Sequence, residues 1–122
     1  MLIEINDILP ISVNAAYRTW QNRILISKKG REFKKQITEI LINKNIDKII
    51  GPIKVSIFYY FSDLRCRDID NYQKLLIDSM KDIVFEDDKM IYELNLKKKI
   101  GCKFNKIIIN IETIDLDNLY NL

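Results

Sequence analysis

The densest run of groups able to do chemistry is Arg65-Cys66-Arg67-Asp68-Ile69-Asp70-Asn71-Tyr72-Gln73-Lys74. Asp68 and Asp70 are two residues apart, which puts both carboxylates on one face of an extended backbone. Converging carboxylates repel each other, and a hard, oxygen-seeking cation relieves the repulsion. Magnesium suits such a pair, with manganese the second fit; zinc suits it less, because no Cys or His ligands stand nearby at zinc spacing. Lys74 follows Asp70 by four residues, one helical turn along the same face. There it could hold a scissile phosphate or stabilise the charge that builds on it during hydrolysis. Arg65 and Arg67 stand where they could grip flanking phosphates. A second acidic cluster, Glu86-Asp87-Asp88, follows the next predicted helix. Asp88 meets the first pair only if it lies beside the strand end that precedes Asp68.

An Asp-x-Asp pair alone says little, since such pairs are common as helix caps and in surface loops. The chain carries its own control: Asp115-Leu116-Asp117-Asn118 nearly repeats Asp68-Ile69-Asp70-Asn71. The second copy has no arginines before it, no lysine four residues on, and no room for a full helix. It reads as part of a tail over residues 114–122. Neither cluster has the loop spacing of an EF-hand.

Composition narrows the chemistry further. Histidine is absent, which removes Ser-His and Cys-His nucleophile systems and histidine-rich zinc sites. The charge excess is only +3, but its distribution is uneven. Arg18, Arg23, Lys28, Lys29, Arg31, Lys34 and Lys35 share their stretch with one acid, Glu32, and Lys97 to Lys106 contains lysines and no acid. Between them, Asp68 to Asp88 is acidic. An acidic centre between basic flanks suits a metal site beside a polyanion, and each basic segment alone equally suits a solvated face. Cys66 and Cys102 are too few for a disulfide framework and are expected as free thiols in a reducing cytoplasm. No apolar run approaches membrane-spanning length, and Met1-Leu2-Ile3-Glu4 lacks the basic and apolar regions expected of a signal peptide.

These residues need elements to position them. At 122 residues, 48% hydrophobic and 30% charged, one globular domain over residues 1–122 is expected. Residues 2–9 read as a strand ending at Pro10, and residues 11–26 as a loop carrying Asn14, Tyr17 and Arg18. Ser27 suits the N-cap of a helix in which Phe33, Ile37, Ile40 and Leu41 recur. Lys28 and Lys29 crowd its first turn, where the helix dipole disfavours cations. Gly51-Pro52 marks a turn, and residues 53–61 read as a β-branched, aromatic strand. Tyr72 to Val84 reads as an amphipathic helix capped by Asp70 or Asn71. Residues 90–97 and 104–113 read as the last strands. The β-α-β-α-β-β order predicts an α+β fold, a mixed sheet with two main helices packed on it. Tyr59, Tyr60, Phe58 and Phe61 read as core and sheet surface; Trp20 fits a DNA or dimer contact as well as partial burial.

Arg67-Asp68-Ile69-Asp70-Asn71-x-x-Lys74, then Asp78, then Phe85-Glu86-Asp87-Asp88, resembles the signature of RusA-type crossover junction endodeoxyribonucleases. Pro10, Ser12, Asn14, Tyr17, Arg18, Ser27, Gly30 and Phe33 are similar too, and the resemblance covers about residues 3–113. It implies a magnesium-dependent endonuclease that resolves Holliday junctions by paired nicks in four-way DNA. It implies that Asp68, Asp70 and Asp88 ligate the metal, that Lys74 is essential, and that Asp87 is a candidate further ligand. Asn14, Arg18, Lys28, Lys29, Arg65 and Arg67 become candidate DNA contacts. A homodimer, a bacterial or phage origin and no organic cofactor are also expected. The competing readings are a metal nuclease acting on flaps or forks and a non-catalytic DNA-binding protein.

Overall fold

The computed structural model describes residues 1–120; residues 121–122 of the expected tail lie outside them. The principal sheet has four strands: β1 (Leu2–Asn6), β4 (Ile53–Tyr60), β5 (Ile91–Lys99) and β6 (Lys106–Thr113). Its order is β1-β6-β4-β5. β6 pairs antiparallel with β1 and β4, while β4 pairs parallel with β5. The sheet is therefore mixed, as the α+β reading expects. β4 is buried on alternate residues, with Ile53, Val55, Ile57 and Tyr59 inward. That period-2 face meets the apolar stripes of the two main helices. These are α2 (Lys28–Asn43), with Phe33, Ile37 and Leu41 buried, and α3 (Lys74–Met80), with Leu75, Leu76 and Met80 buried.

Ser27 caps α2 as expected, its Oγ accepting the Gly30 N–H at 3.0 Å. The stretch expected to be a loop over residues 11–26 is ordered instead. A one-turn helix, α1 (Val13–Ala16), is capped by Ser12 and leads into a hairpin of β2 (Tyr17–Trp20) and β3 (Arg23–Ile26). Gln21 and Asn22 join the strands, with φ of 48° and 60°. Two successive left-handed residues make the tight turn whose twist matches paired strands. Gln-Asn is a weaker turn signal than Asn-Gly, which is why the hairpin is hard to read from sequence.

The helix expected over Tyr72–Val84 is also shorter. A 3₁₀ turn occupies Ile69–Asn71, and α3 runs only from Lys74 to Met80 with Gln73 as its N-cap. Neither Asp70 nor Asn71 caps it. Lys81 leaves the helix with ψ of 139° and Asp82 is left-handed at φ 66°. The backbone turns so that Val84 and Phe85 are buried, with Phe85 bridged to Ile49. The apolar residues that extend the helical pattern are thus satisfied by a turn.

α1 and the start of α2 fit closely. A Cβ on Gly30 would lie 2.4 Å from the Ala16 carbonyl oxygen and 2.8 Å from Ile26 Cγ1. Backbone cannot yield as a flexible side chain can. Gly30→Ala is expected to cost about 1–3 kcal/mol by overpacking, despite alanine's higher helix propensity. Thermal unfolding should register it as a fall in Tm of about 4 °C per kcal/mol; an unchanged or higher Tm would show that the contact relaxes freely.

Candidate functional site

Every central candidate lies between the end of β4 and the start of β5. From Phe61 the chain runs back along β5. Lys98 Nζ reaches the Arg67 carbonyl, and the 3₁₀ turn carrying Asp70 packs against β5. α3 follows, and a second 3₁₀ turn over Asp88–Met90 enters β5. The parallel register sets Ile91 beside Ile53, so β5 begins next to the start of β4. Asp88 therefore lies at the end of the sheet where β4 begins, and the return of the chain over β5 carries the Asp70 turn and Lys74 back towards that end.

A cleft of about 440 Å³ opens between α3 and β5. Its walls include Gln73, Lys74, Asp78, Asp88, Tyr92 and Glu93. The short α3, about 10 Å long at 1.5 Å per residue, brings Lys74 and Asp78 within reach of one cleft with Asp88. Tyr17, at the base of the hairpin, donates its hydroxyl to Asp78 Oδ2 at 3.1 Å, and Lys74 Nζ sits 5.5 Å from the Tyr17 ring centre. Desolvation, then the charge and hydrogen bond of Asp78, push the Tyr17 pKa up to about 12. Tyr17 stays a donor at neutral pH, with Asp78 Oδ2 as its acceptor. Both Tyr17 and Asp78 carry weight that residue spacing alone does not assign; pairing across 61 positions leaves no local signal.

The mutual interaction of the Asp87 and Asp88 carboxylates draws Asp87 down to about 2 and raises Asp88. Asp87 is further committed: it caps the second 3₁₀ turn by accepting the Lys89 N–H at 3.1 Å, and Lys81 Nζ lies 3.5 Å away. Asp88 is exposed and also feels the charge of Asp78. Such crowding of carboxylates is what a divalent cation relieves. Lined by carboxylates without histidine, the donor set fits magnesium or manganese in kind. It is not gathered into one cluster: among the described residues, no three acidic or thiol side chains converge as ligands to one ion. Asp68 and Asp70 are exposed, outside the cleft lining, and without an ion pair among the described residues. Asp68 stands at the N-cap position of its turn yet makes no capping bond.

The tail copy behaves differently. Asp115 accepts the Asp117 N–H at 3.0 Å and an Asn118 amide hydrogen at 3.2 Å. It starts a short helix, α4 (Leu116–Tyr120). The first aspartate of near-identical letters thus caps a helix in one place and makes no capping bond in the other.

The basic candidates also divide. Arg67 is spent on structure: its side chain is 7% exposed, it forks onto Asp63 with one bond at 2.8 Å, and it lies 4.4 Å from the Phe61 ring centre. Arg65 is exposed and shares a groove of about 630 Å³ with Lys29 from the first turn of α2. Lys28, Arg18 and Asn14 are exposed as well. The fold thus brings Arg65 beside one of the two basic segments.

Similarity to known proteins bears on this arrangement. The family model described as Endodeoxyribonuclease RusA matches residues 8–112. A crossover junction endodeoxyribonuclease RusA of Shigella sonnei (strain Ss046) is 30% identical over 104 residues, covering 84% of this chain and 87% of that protein. The protein of the same description from Escherichia coli (strain K12) is 28% identical over the same shares. That from Enterobacteria phage HK97 is 25% identical over 108 residues, 87% of this chain and 90% of the relative.

The Asp63–Arg67 fork makes a pH prediction. Hydrogen bonds from Arg67 hold Asp63 at about 2, below its ordinary 3.8, against an opposing desolvation. A depressed carboxylate stabilises the fold above the unfolded pKa, and the effect disappears as pH falls through the folded one. Asp63→Asn is therefore expected to be less stable than the parent above about pH 5. The two denaturant midpoints should converge towards pH 2. A gap that is constant across this range would remove the ion pair as its cause.

Proposed function

The chain belongs to the endodeoxyribonuclease RusA family, and from that premise we propose that it resolves four-way DNA junctions by magnesium-dependent hydrolysis of phosphodiesters, acting as a homodimer. Within the family, the observation that carries the site assignment is the contrast between the two Asp-x-Asp copies. Asp115 is occupied as a helix cap, whereas its counterpart Asp68 makes no capping bond and its segment leads into Lys74 at the acidic cleft. Unpaired carboxylates kept beside an acidic cleft serve no evident structural purpose, and a metal-ligating role accounts for them.

In this reading the ion would draw Asp68, Asp70 and Asp88 together as its ligands, with Asp87 a further candidate, its carboxylate already engaged by Lys81 and the Lys89 N–H. Bound magnesium would lower the pKa of a water and neutralise charge at the scissile phosphate. Lys74 supplies a point cation from the first residue of α3 and would stabilise charge on the non-bridging oxygens. Tyr17 acts through Asp78: its hydroxyl fixes that carboxylate one turn from Lys74 and so orients the lysine-bearing face of α3. Arg65, Lys29, Lys28 and Arg18 would take backbone phosphates along the approach. Manganese would substitute through the same oxygen ligands.

The deciding assay is incubation with labelled four-way junction, flap and linear duplex, with and without magnesium. Junction cleavage that requires the metal supports the proposal; preferential flap cutting would redirect it to another branched substrate. Asp70→Asn should lower cleavage by at least about a hundredfold, because even partners of metal ligands cost 10- to 100-fold. Junction binding should survive, since the phosphate grip comes from cations. Asp117→Asn should be silent in the same assay. If Asp117→Asn alone is inactive, the functional copy has been misassigned.

The dimer follows from counting sites. One chain supplies one candidate site, a junction needs two opposed nicks, and a first nick relaxes a supercoiled cruciform. An isologous pair presents the same site twice to a substrate of matching symmetry. Heterodimers of parent and Asp70→Asn chains should give nicked circles from a cruciform plasmid where the parent gives linear product. Linear product at the parental rate would overturn the requirement for two sites.

A further inference from the structure

The β2–β3 hairpin is a small sheet of its own, separate from the principal one. A lone hairpin is marginal in water, and among the described residues the anchors of this one lie at its base. Tyr17 bonds Asp78, Ser27 N–H and Oγ both donate to α1 carbonyls, and Tyr17 and Ile26 pack against the core. Further out the strands leave the body: Trp20 is 56% exposed and Ile24 78%. Pairing of Arg18 with Leu25 and Trp20 with Arg23 puts these four residues on one face. Arg18 and Arg23 are exposed and, among the described residues, neither meets a carboxylate. The arm therefore presents an indole between two free guanidiniums.

That face suits one kind of occupant. A second copy bound isologously through this face would gather four guanidiniums at one contact, and like charges repel. A nucleic acid supplies phosphates for the arginines and flat base faces for the indole. Along a continuous duplex every base face is covered by its neighbour. At a branch point the terminal pairs of the arms leave faces open. Trp20 lies three residues beyond Tyr17, about 10 Å at about 3.3 Å per residue. Since Tyr17 holds a cleft carboxylate, that reach corresponds to about three base steps from the cleft.

Resting on the junction reading above, we propose that the hairpin is a branch-sensing arm: Trp20 stacks on a base face left open at the branch point, and Arg18 and Arg23 bind the phosphates beside it. Recognition of branched over linear DNA then comes from an exposed stacking surface.

Trp20 is the single tryptophan of the chain, so intrinsic fluorescence reports on it alone. Asp70→Asn protein in a chelator is titrated with a four-way junction and with linear duplex of equal length. Binding is followed in parallel by anisotropy of a dye on the DNA. Quenching of the indole by the junction, tracking the anisotropy, and little quenching by bound duplex are the expected results. Trp20→Ala should weaken junction binding by about fivefold to a hundredfold, leave duplex binding unchanged, and be largely rescued by Trp20→Phe. Unquenched emission with the junction fully bound would overturn the arm's role. So would a blue shift that grows with protein concentration in the absence of DNA, which would assign the arm to a contact between chains. No anisotropy change with the junction would instead remove the junction reading itself, and this inference with it.

Discussion

The parallel pairing of β4 with β5 is the constraint on which the rest depends. Parallel neighbours cannot be joined by a tight turn, so the chain leaving Phe61 must travel back over the sheet before Ile91. That return path contains Arg65, Asp68, Asp70, Lys74, Asp78 and Asp88. Residues on the two sides of α3 are thereby placed over one strand instead of at opposite edges of the molecule. Burial of Ile57 and the half-burial of Leu96, its register partner, hold the pairing against slippage, because a one-residue slip would invert both apolar faces.

The same crossover explains how charge is apportioned. Arg67 is fixed by Asp63 and by the Phe61 ring, and the chain on either side of it is thereby tied down. An arginine forked onto a carboxylate and lying over an aromatic ring has little left to offer a phosphate. Asp68 and Asp70 follow directly, exposed, on a backbone that is already restrained. Stability and reactivity are divided between adjacent residues: one cation is spent locally so that two anions can stay unpaired.

Much of this was legible in the sequence, and the reasons are particular. β4 declares itself by β-branched and aromatic residues, α2 by Ser27 and the spacing of Phe33, Ile37 and Leu41. The Asp68 to Lys74 segment stands out because its arginines and lysine are missing from the tail copy. The extent of α3 was not legible, since Ile83 and Val84 continue a helical pattern yet are packed against the core by a left-handed turn at Asp82. The hairpin was hidden because its turn is Gln-Asn and its outer residues face solvent, so no apolar alternation marks it. Asp78 and Tyr17 could be matched to a family pattern, but their mutual bond is visible only once the fold brings them together.

That bond links parts of the chain with different tasks. Tyr17 belongs to the arm that carries Arg18, Trp20 and Arg23, and Asp78 belongs to the helix that begins with Lys74. A single hydroxyl–carboxylate contact thus ties the base of the arm to a carboxylate of the acidic cleft, while close packing at Gly30 fixes the other end of the hairpin against α2. Neither anchor is at the arm's tip, so the tip can adjust to what it meets while its root stays in register with the site. An enzyme that must find a branch point and then hydrolyse a phosphate close to it needs that combination. The short distance from Tyr17 to Trp20 sets how far apart the two events can be.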